Sequence, residues 1–458
     1  MSRSKEMDLT TGNPFWSLLK FAIPVILGNL FQLFYTLADS VIVGKTLGAD
    51  SLAAVGSTSI IIYFVFCFIN GFTGGFGICL GQKCGAKDEN GMRKSVAVST
   101  LLSIAFTVVL TLICCLLSHQ ILRWMQIPAD ISGEAYDYMF VVLLGTGATV
   151  FYNMISNMLR ALGDSKTPLY FLVFSSVLNI FLDILFIVPF HMGVAGVALT
   201  TIISQAISAV LVLLCLIKTE GPCHLDLHHL KFHGKVLTAM LRIGLPAGLQ
   251  GAIFSISNVL IQSSVNSFGS TAMAGYTAAN NILGFLYASI NAVTQACMSF
   301  TSQNYGVNKP KRMDRVMMDC VILSVGVSLV FGCGAYAFGG EILKIYTTDP
   351  EVIGCGMEIL ALTTVTYFLC GVMDLFPGAL RGMGASAVPM ILSIIGTVGT
   401  RIVWIFGIFP SHRSLKILFV SYPASWMLTI LMQAVCFYFV RKKVHRELKQ
   451  QTVFENDK

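Results

Sequence analysis

Twelve long apolar stretches, each with few charged side chains, determine what this chain can fold into. An α-helix needs roughly 20 consecutive apolar residues to cross a bilayer, and each stretch is about that long or longer. Only 12% of the residues are charged, whereas soluble domains have about 25%, so the chain cannot cover a water-exposed surface. We therefore predict an all-α integral membrane protein whose twelve transmembrane helices lie at residues 14–43, 52–80, 95–118, 131–160, 168–189, 194–217, 237–267, 272–302, 316–338, 351–380, 389–409 and 415–441.

Lysine and arginine are divided unevenly between the two ends of these segments. An even number of spans puts both termini on one side, and 24 of the 30 Lys and Arg residues lie on that side. By the positive-inside rule, both termini are predicted to be cytoplasmic. The first apolar stretch is too long for the core of a signal peptide, so we expect it to be retained as a spanning helix.

The two halves of the sequence match each other at an offset of about 221 residues. The matches include polar loop residues, which chance similarity between leucine-rich helices does not align. They pair Gln82 with Gln303, Gly85 with Gly306, Leu159-Arg160 with Leu380-Arg381, Gly163 with Gly384, and Pro168 with Pro389. Because each half has six spans, both halves have the same orientation. They are predicted to form two six-helix bundles related by a pseudo-two-fold axis along the membrane normal.

This repeat divides the chain into four predicted parts. Residues 1–217 form an N-lobe of helices 1–6, and residues 237–441 form a C-lobe of helices 7–12. A cytoplasmic linker at 218–236 joins them, and residues 442–458 form a cytoplasmic tail. Parallel repeats of this kind commonly hold substrate in a cleft between the lobes and alternate its access by rocking.

Most acidic residues fall in the predicted loops or near the ends of the predicted helices, and three do not: Asp39, Asp183 and Asp374. An ionisable residue at bilayer depth costs roughly 2.5–3.5 kcal/mol on insertion scales, so each is a candidate functional residue. Asn179 and Asp183 are four residues apart and share a helix face. The next helix carries four polar side chains in close succession, Thr200, Thr201, Ser204 and Gln205.

Such an oxygen-rich cluster suits hard cations, and two carboxylates in a medium of low dielectric can also share a proton. It could serve Na⁺, H⁺ or both, provided that the three helices converge. The alternative is that these acids line a wet cavity without binding an ion.

Comparison of the two halves indicates that this cluster occurs once. Asp39 corresponds to Leu260 or Ile261, Asn179 to Thr400, and Asp183 to Trp404. Conversely, Asp374 corresponds to Asn153, so the second half has an acid of its own. We interpret Asp374 as a second cation contact or a contact for a cationic substrate. A packing role beside Pro377 is the alternative.

Polar side chains in the helices, set among abundant Phe and Met, predict a wide apolar cleft that suits ligands of varied shape. The candidate substrate-binding residues are Gln32, Tyr35, Asn153, Asn258, Gln262 and Asp374. The alternative for each amide is a hydrogen bond between helices. Pro24 interrupts the first helix fifteen residues before Asp39, and it is our candidate gating residue because proline permits a kink. A static bend is the alternative.

Several kinds of site are not indicated by the sequence. It has no Walker A, GxSxG or HExxH pattern, and helix interiors hold almost no histidine, so we expect neither an enzyme nor a receptor. His229 and His233 in the linker lie near Cys223, but without a second cysteine we expect a solvated linker rather than a metal site. No cofactor is expected beyond a coupling ion. The net charge of +7 lies in loops, so no nucleic-acid partner is predicted, and we expect a monomer in contact with membrane lipid.

These residues together resemble the multidrug and toxic compound extrusion (MATE) family over nearly the whole chain. The resemblance rests on the doubled twelve-span pattern and the paired motifs Gln82…Gly85 with Gln303…Gly306 and Leu159-Arg160…Gly163 with Leu380-Arg381…Gly384. The Pro24…Asp39 spacing and the Asn179…Asp183 pair followed by Thr201 are similar to the bacterial and archaeal branch named for a DNA-damage-inducible member (DinF-like).

The resemblance implies a cation-coupled antiporter that exports cationic or amphipathic drugs and toxic compounds by alternating access through a V-shaped cleft. It implies a cation site at Asp39, Asn179, Asp183 and Thr201, and it places the protein in the plasma membrane of a prokaryote. Another branch of the family carries an acidic pair in its second lobe. Here helix 7 has no acid, and Asp374 does not match that branch's position clearly.

A flippase for lipid-linked oligosaccharides or other lipids, from the same superfamily, is the second interpretation. Flippases of that kind tend to have extra spans and a basic cavity that holds pyrophosphate. Arg401 is the only candidate cation at membrane depth in this sequence, which favours the exporter.

Overall fold

The computed structural model describes residues 7–125, 127–128, 130–217, 224 and 230–456, and within these ranges the regular structure is entirely helical. The first half contains α1 (Pro14–Thr46), α2 (Ala49–Gly85), α3 (Glu89–Trp124), α4 (Ser132–Leu144), α5 (Thr146–Ala161), α6 (Lys166–Ile187) and α7 (Gly193–Ile217). The all-helical expectation is thus confirmed. Its physical reason is that a chain in lipid must satisfy its backbone hydrogen bonds within each segment or in a closed barrel.

The second half continues with a corresponding series of helices. They are α8 (Gly234–Asn266), α9 (Ser270–Gly306), α10 (Pro310–Ala337), α11 (Gly339–Lys344), α12 (Pro350–Thr363), α13 (Tyr367–Gly382), α14 (Ala387–Ser393), α15 (Thr400–Val403) and α16 (Leu415–Asn456). Two π-helical segments, Ile394–Gly399 and Trp404–Ile408, flank α15, and a 3₁₀ turn at Phe409–Ser411 follows them.

Among the described residues, ten helices are long and apolar enough to cross a membrane singly, if the continuous stretch Ala387–Ser411 is counted as one. Two bent pairs bring the number to twelve, since α4 and α5 meet at 43° and α12 and α13 meet at 50°. Each pair occupies one predicted span, so the count of twelve is confirmed. The breaks were not predicted, because the apolar composition runs on through them.

Threonine hydroxyls account for the break between α12 and α13. Thr363 and Thr364 donate hydrogen bonds of 2.6 Å to the carbonyls of Ile359 and Leu360, one turn earlier. Thr366 does the same to Leu362 at 2.8 Å. Side-chain bonds of this kind compete with the helical ladder and bend helices.

The internal repeat is visible in the backbone of the turns. Gly163 and Gly384 both have positive φ, 96° and 87°, at the equivalent turn after α5 and α13. Lys87 and Asn308 also share the left-handed conformation, with φ of 54° and 59°. Residues other than glycine seldom adopt that conformation, so the coincidence reflects a common fold of the two halves.

The chain forms two compact units. The first unit comprises the described residues of Leu27–Gly248, together with Met7, and the second comprises Asp8–Ile26 and the described residues of Leu249–Lys458. The divisions fall within α1 and α8, two residues after Pro24 and Pro246, which are equivalent in the repeat. The predicted lobe boundaries stay a prediction, and residues 218–223 and 225–229 of the predicted linker, including His229, lie outside the described residues.

Equivalent helices pack together within each unit. In the first unit α2 packs against α5, and in the second unit the corresponding helices α9 and α13 pack together. A Cβ on Gly77 would lie 2.7 Å from the carbonyl oxygen of Asn157. At the equivalent contact the small residue is on the other helix, because Gly378 lies beside Met298. Close approach through small residues is the normal way in which membrane helices associate.

Large apolar side chains cover the outside of the spans, as a lipid-facing surface requires. Exposed examples are Trp16, Leu116, Val330, Phe406 and Leu431. The interior of the second unit holds a core of buried aromatic and aliphatic side chains that includes Tyr276, Tyr367, Phe419 and Trp426. The chain is a multi-pass membrane protein.

Replacing Gly77 by alanine is expected to destabilise the first unit. The added methyl group would force α2 and α5 apart, and overpacking of this kind costs about 1–3 kcal/mol. The measurement is the melting temperature of the purified protein in detergent. Gly74→Ala is the matched control, because nothing lies within 4 Å of a Cβ at Gly74. Equal melting temperatures for the two variants would contradict the close contact.

Candidate functional site

Two carboxylates meet in the interior of the first unit. Asp39 comes from the second half of α1, and Asp183 comes from α6. Their carboxyl groups are close enough to share a hydrogen bond when one of them is protonated. Asp39 Oδ1 and Asp183 Oδ2 are both buried, and neither has a hydrogen-bond partner among the described residues. Two open carboxylate oxygens therefore lie in one place.

Helix α7 supplies hydroxyl groups to this pair. The Thr200 hydroxyl donates to Asp183 Oδ1, and it also lies 2.8 Å from the carbonyl oxygen of Val197. Asp183 and Thr200 are fully buried. The hydroxyl that contacts Asp183 thus belongs to Thr200. The sequence alone does not reveal whether Thr200 or its neighbour Thr201 faces α6.

Asn179 completes the candidate site one turn before Asp183. It is 2% exposed, and its Nδ2 lies 3.5 Å from the Thr201 hydroxyl. Its Oδ1 is buried without a partner among the described residues. All four predicted cation-site residues therefore lie in the first unit, and the structure adds Thr200 to them. The resulting donor set is two carboxylates, one amide oxygen and two hydroxyls.

The chemistry of this set is that of a hard-cation or proton site. Oxygen ligands suit hard cations, and like charges in a buried site favour retention of a proton by one of them. Among the described residues, no group of three or more His, Cys, Asp or Glu side chains is placed to hold a metal ion.

Tyrosines and amides surround the acids. The Tyr35 hydroxyl is hydrogen-bonded to Gln205 and Gln32 and lies near Asp39. Gln205 Oε1 accepts a hydrogen bond of 2.5 Å from Thr149. Tyr138 also lies close enough to both acids to feel their charges. Tyr35, predicted to contact substrate, is thus linked to the carboxylate cluster. Tyr138 is a further neighbour of the acids that the sequence analysis did not single out.

Two other predicted substrate residues of the first unit differ in their surroundings. Gln32 is exposed on α1. Asn153 is half-buried on α5, and its Nδ2 donates to the Thr149 carbonyl at 2.8 Å. Pro24 lies two residues before the point at which α1 passes from the second unit to the first.

Asp374 belongs to a charged network in the second unit. It is hydrogen-bonded to Tyr287, and its charge interacts with that of Arg381. Arg381 Nη2 donates to Gln250 Oε1 at 2.6 Å. The sequence places Arg381 in a cytoplasmic loop, whereas the structure places it half-buried in the last turn of α13. The sequence did hold one indication that Arg381 lies near Asp374, because the two are seven residues apart and therefore lie on one face of α13.

The last two predicted substrate residues lie near a buried arginine. Arg401 is 4% exposed, and its Nη1 donates to Asn258 Oδ1 at 3.1 Å and to the Ser257 hydroxyl at 3.3 Å. Its guanidinium carbon lies 4.2 Å from the centre of the Tyr422 ring. Asn258 is exposed, and Gln262 is half-buried one turn further along α8.

Removing the charge of Arg381 is expected to destabilise the second unit, because Asp374 would stay buried without its cation. Arg381→Gln and Asp374→Asn should each lower the free energy of unfolding. The double variant should lose less than their sum, by about 0.5–3 kcal/mol. Thermal unfolding of the four proteins in detergent measures this coupling. The control is Arg413→Gln at an exposed site, and strict additivity would contradict the network.

Comparison with known proteins links this geometry to one family. The MatE family model matches the chain twice, at residues 24–185 and 246–406. The two matches begin and end about 221 residues apart, in agreement with the internal repeat.

Curated relatives match nearly from end to end. The "Probable multidrug resistance protein YoeA" of Bacillus subtilis is 28% identical over 436 residues, which cover 93% of this chain and 94% of the relative. The "Probable multidrug resistance protein YpnP" of the same organism is 31% identical over 391 residues, covering 85% and 87%. The "Multidrug export protein MepA" of Staphylococcus aureus is 23% identical and covers 83% and 84%.

Solved structures have the same fold. An outward-facing multidrug resistance MATE family transporter of the MOP superfamily superposes with a TM-score of 0.88 and 24% identity, covering 98% of this chain and 100% of that chain. A MOP superfamily transporter from Pyrococcus furiosus superposes with the same TM-score, identity and coverage. At this identity, the agreement concerns the fold alone.

Proposed function

Since this chain belongs to the MatE family, which is a family of transporters, we propose that it exports drugs and other toxic amphipathic compounds. Three curated relatives carry names that state multidrug resistance or export. Their alignments cover most of both chains, so the proposal transfers a property of whole proteins. The abundance of Met and Phe, 20 and 32 residues, suits ligands of varied shape.

We further propose that export is coupled to the inward movement of Na⁺ or H⁺. The observation that carries this proposal is the buried Asp39–Asp183 pair in the first unit. Two adjacent carboxylates away from water repel each other unless a cation or a proton neutralises them. Asn179, Thr200 and Thr201 supply further oxygen atoms for a bound ion.

Neutralisation of this pair is the proposed driving step. An ion shifts a conformational equilibrium only as far as it binds the two states with different affinity. A site that closes around the ion in only one conformation binds the ion with different affinity in the two conformations. Without the ion, repulsion between the two carboxylates disfavours the closed conformation. The ion gradient would thereby select the direction of transport.

The coupling proposal is tested by Asp39→Asn and Asp183→Asn in vesicles loaded with a fluorescent cation. Each variant keeps the shape of the side chain but removes one negative charge. Ion-driven export should therefore fall about tenfold or more, as expected when a charge-assisted interaction with the ion is lost. Export is measured under a Na⁺ gradient at constant pH and under a pH gradient with choline in place of Na⁺.

Asp137→Asn is the matched control, because it removes an exposed carboxylate from the same unit. Activity under only one gradient identifies the coupling ion. Wild-type export by both site variants under both gradients would refute the proposed site. Export that persists in wild type without any ion gradient would refute coupling and leave the exporter proposal standing.

We propose that Pro24 transmits the state of this site along α1. Proline leaves the carbonyl four residues earlier without its helical partner, so the helix can bend there at little cost. Pro24 also lies at the point where α1 passes between the units. The acids and the flexible point therefore lie on one helix.

Pro24→Ala is expected to slow ion-driven export severalfold while ion binding is retained. A straightened helix would respond less to neutralisation of Asp39, although the carboxylates themselves are unchanged. Ion binding is measured as the rise in melting temperature with added Na⁺ or protons, and export is measured in vesicles. Pro246→Ala, at the equivalent position of α8, is the control. Normal export by Pro24→Ala would contradict gating at this residue.

We propose the plasma membrane of a prokaryote as the location, with both termini in the cytoplasm and a monomer as the working form. The bacterial sources of the curated relatives support the first point. The excess of Lys and Arg at one end of the helices supports the orientation. The C-terminal part of α16 continues this basic character with Arg441, Lys442, Lys443, Arg446 and Lys449.

A further inference from the structure

The second unit contains a buried positive charge, Arg401, with which no described carboxylate forms a salt bridge. Arg401 is 4% exposed, and its hydrogen-bond acceptors, Ser257 and Asn258, are both neutral. Asp374 has its own cation in Arg381. Among the residues that the structure describes, no carboxylate forms a salt bridge with Arg401. A buried charge of this kind is costly unless an opposite charge accompanies it.

The guanidinium is fixed in place, but its hydrogen-bonding capacity is largely unused. Arginine has five N–H donors, and the bonds in this structure come from Nη1 alone. Nε is buried and has no acceptor among the described residues. The ring of Tyr422 supports the face of the group. The edge formed by Nε and Nη2, which pairs with carboxylates and phosphates in a bidentate manner, is therefore unoccupied by protein acceptors.

The position of Arg401 in the repeat makes the difference between the units plain. Thr400 corresponds to Asn179, and Trp404 corresponds to Asp183. Where this segment of the first unit carries the acid Asp183, the same segment of the second unit carries the cation Arg401. The two units thus carry opposite charge on equivalent segments, so the second unit is suited to an anionic group.

We propose that Arg401 and Asn258 form a binding subsite for the carboxylate or phosphate of a transported amphipathic compound. Asn258 is exposed while its Oδ1 is bonded to buried Arg401, so this amide lies on the accessible side of the guanidinium. Displacement of Asn258 gives the anion access to the guanidinium. The substrates would then include zwitterions as well as cations. This inference rests on the proposed export function.

The test compares two dyes that share one skeleton. Rhodamine B carries a carboxylate, and its ethyl ester has that charge removed. Binding to the purified protein and export from vesicles are both measured. Arg401→Gln should raise Kd and KM for rhodamine B about tenfold or more, the cost of one charge-assisted hydrogen bond. The values for the ester should stay unchanged.

Asn258→Asp is the second variant, and it guards against misfolding of Arg401→Gln. It places a tethered carboxylate beside the guanidinium, so the unit keeps a compensated charge while the subsite is filled. It should reproduce the selective loss of rhodamine B. Arg413→Gln, which removes an exposed arginine bonded to Ser267, is the control and should leave both dyes unaffected.

Three outcomes would overturn the subsite. One is an equal loss for both dyes in both variants, which would make Arg401 a structural residue of the distorted α14–α15 segment. Another is no change for either dye. The third is failure of the wild-type protein to bind rhodamine B. Failure of export for both dyes despite selective binding would instead count against the proposed function.

An anionic lipid headgroup has the same chemistry as the proposed ligand. The measurements are therefore repeated in phosphatidylcholine vesicles with and without phosphatidylglycerol. Discrimination between the dyes in the absence of anionic lipid supports a substrate subsite. Discrimination that depends on phosphatidylglycerol assigns Arg401 to a lipid and overturns the assignment to substrate.

Discussion

The cost of leaving polar groups unpaired in a hydrocarbon interior governs this molecule. Backbone amides must be satisfied within each segment, so the spans are helices. The same cost applies to charged side chains, and the charged side chains inside this structure differ in the groups that surround them. Asp374 interacts with Arg381, whereas Asp39 and Asp183 lie together with open oxygens. Arg401 is supported by neutral groups. Unbalanced charge is therefore the feature that marks the candidate functional positions.

The doubled architecture separates packing from chemistry in the same way. Helix contacts recur in both units even where the residues that permit them have exchanged sides, as at Gly77 with Asn157 and Gly378 with Met298. Close packing tolerates such exchange, because either helix can supply the small residue. Charged groups have no such freedom, since each needs a specific partner. The interior polar residues therefore diverged between halves while the fold did not.

Different parts of the candidate site were accessible to sequence reasoning to different degrees. Asn179 and Asp183 could be placed on one helix face, because a helix fixes the relation of residues four apart. Their relation to Asp39 on another helix, and the choice of Thr200 over Thr201 as the contact to Asp183, depend on how helices rotate about their axes. For the same reason the interaction of Arg381 with Asp374 could not be predicted, because neighbouring residues in the sequence do not show what a side chain contacts.

The sequence alone determined a membrane protein with twelve spans, a parallel repeat and a short set of intramembrane acids, because hydropathy, loop charge and helical periodicity act over neighbouring residues. Only the three-dimensional structure showed the breaks in the fourth span of each half, and at the break in the second half hydroxyl groups bond to the preceding turn. It also decided the isolation of Arg401 from any described carboxylate. The breaks depend on local side-chain geometry, and the surroundings of Arg401 depend on contacts between residues far apart in the chain. Amino-acid composition predicts neither of these.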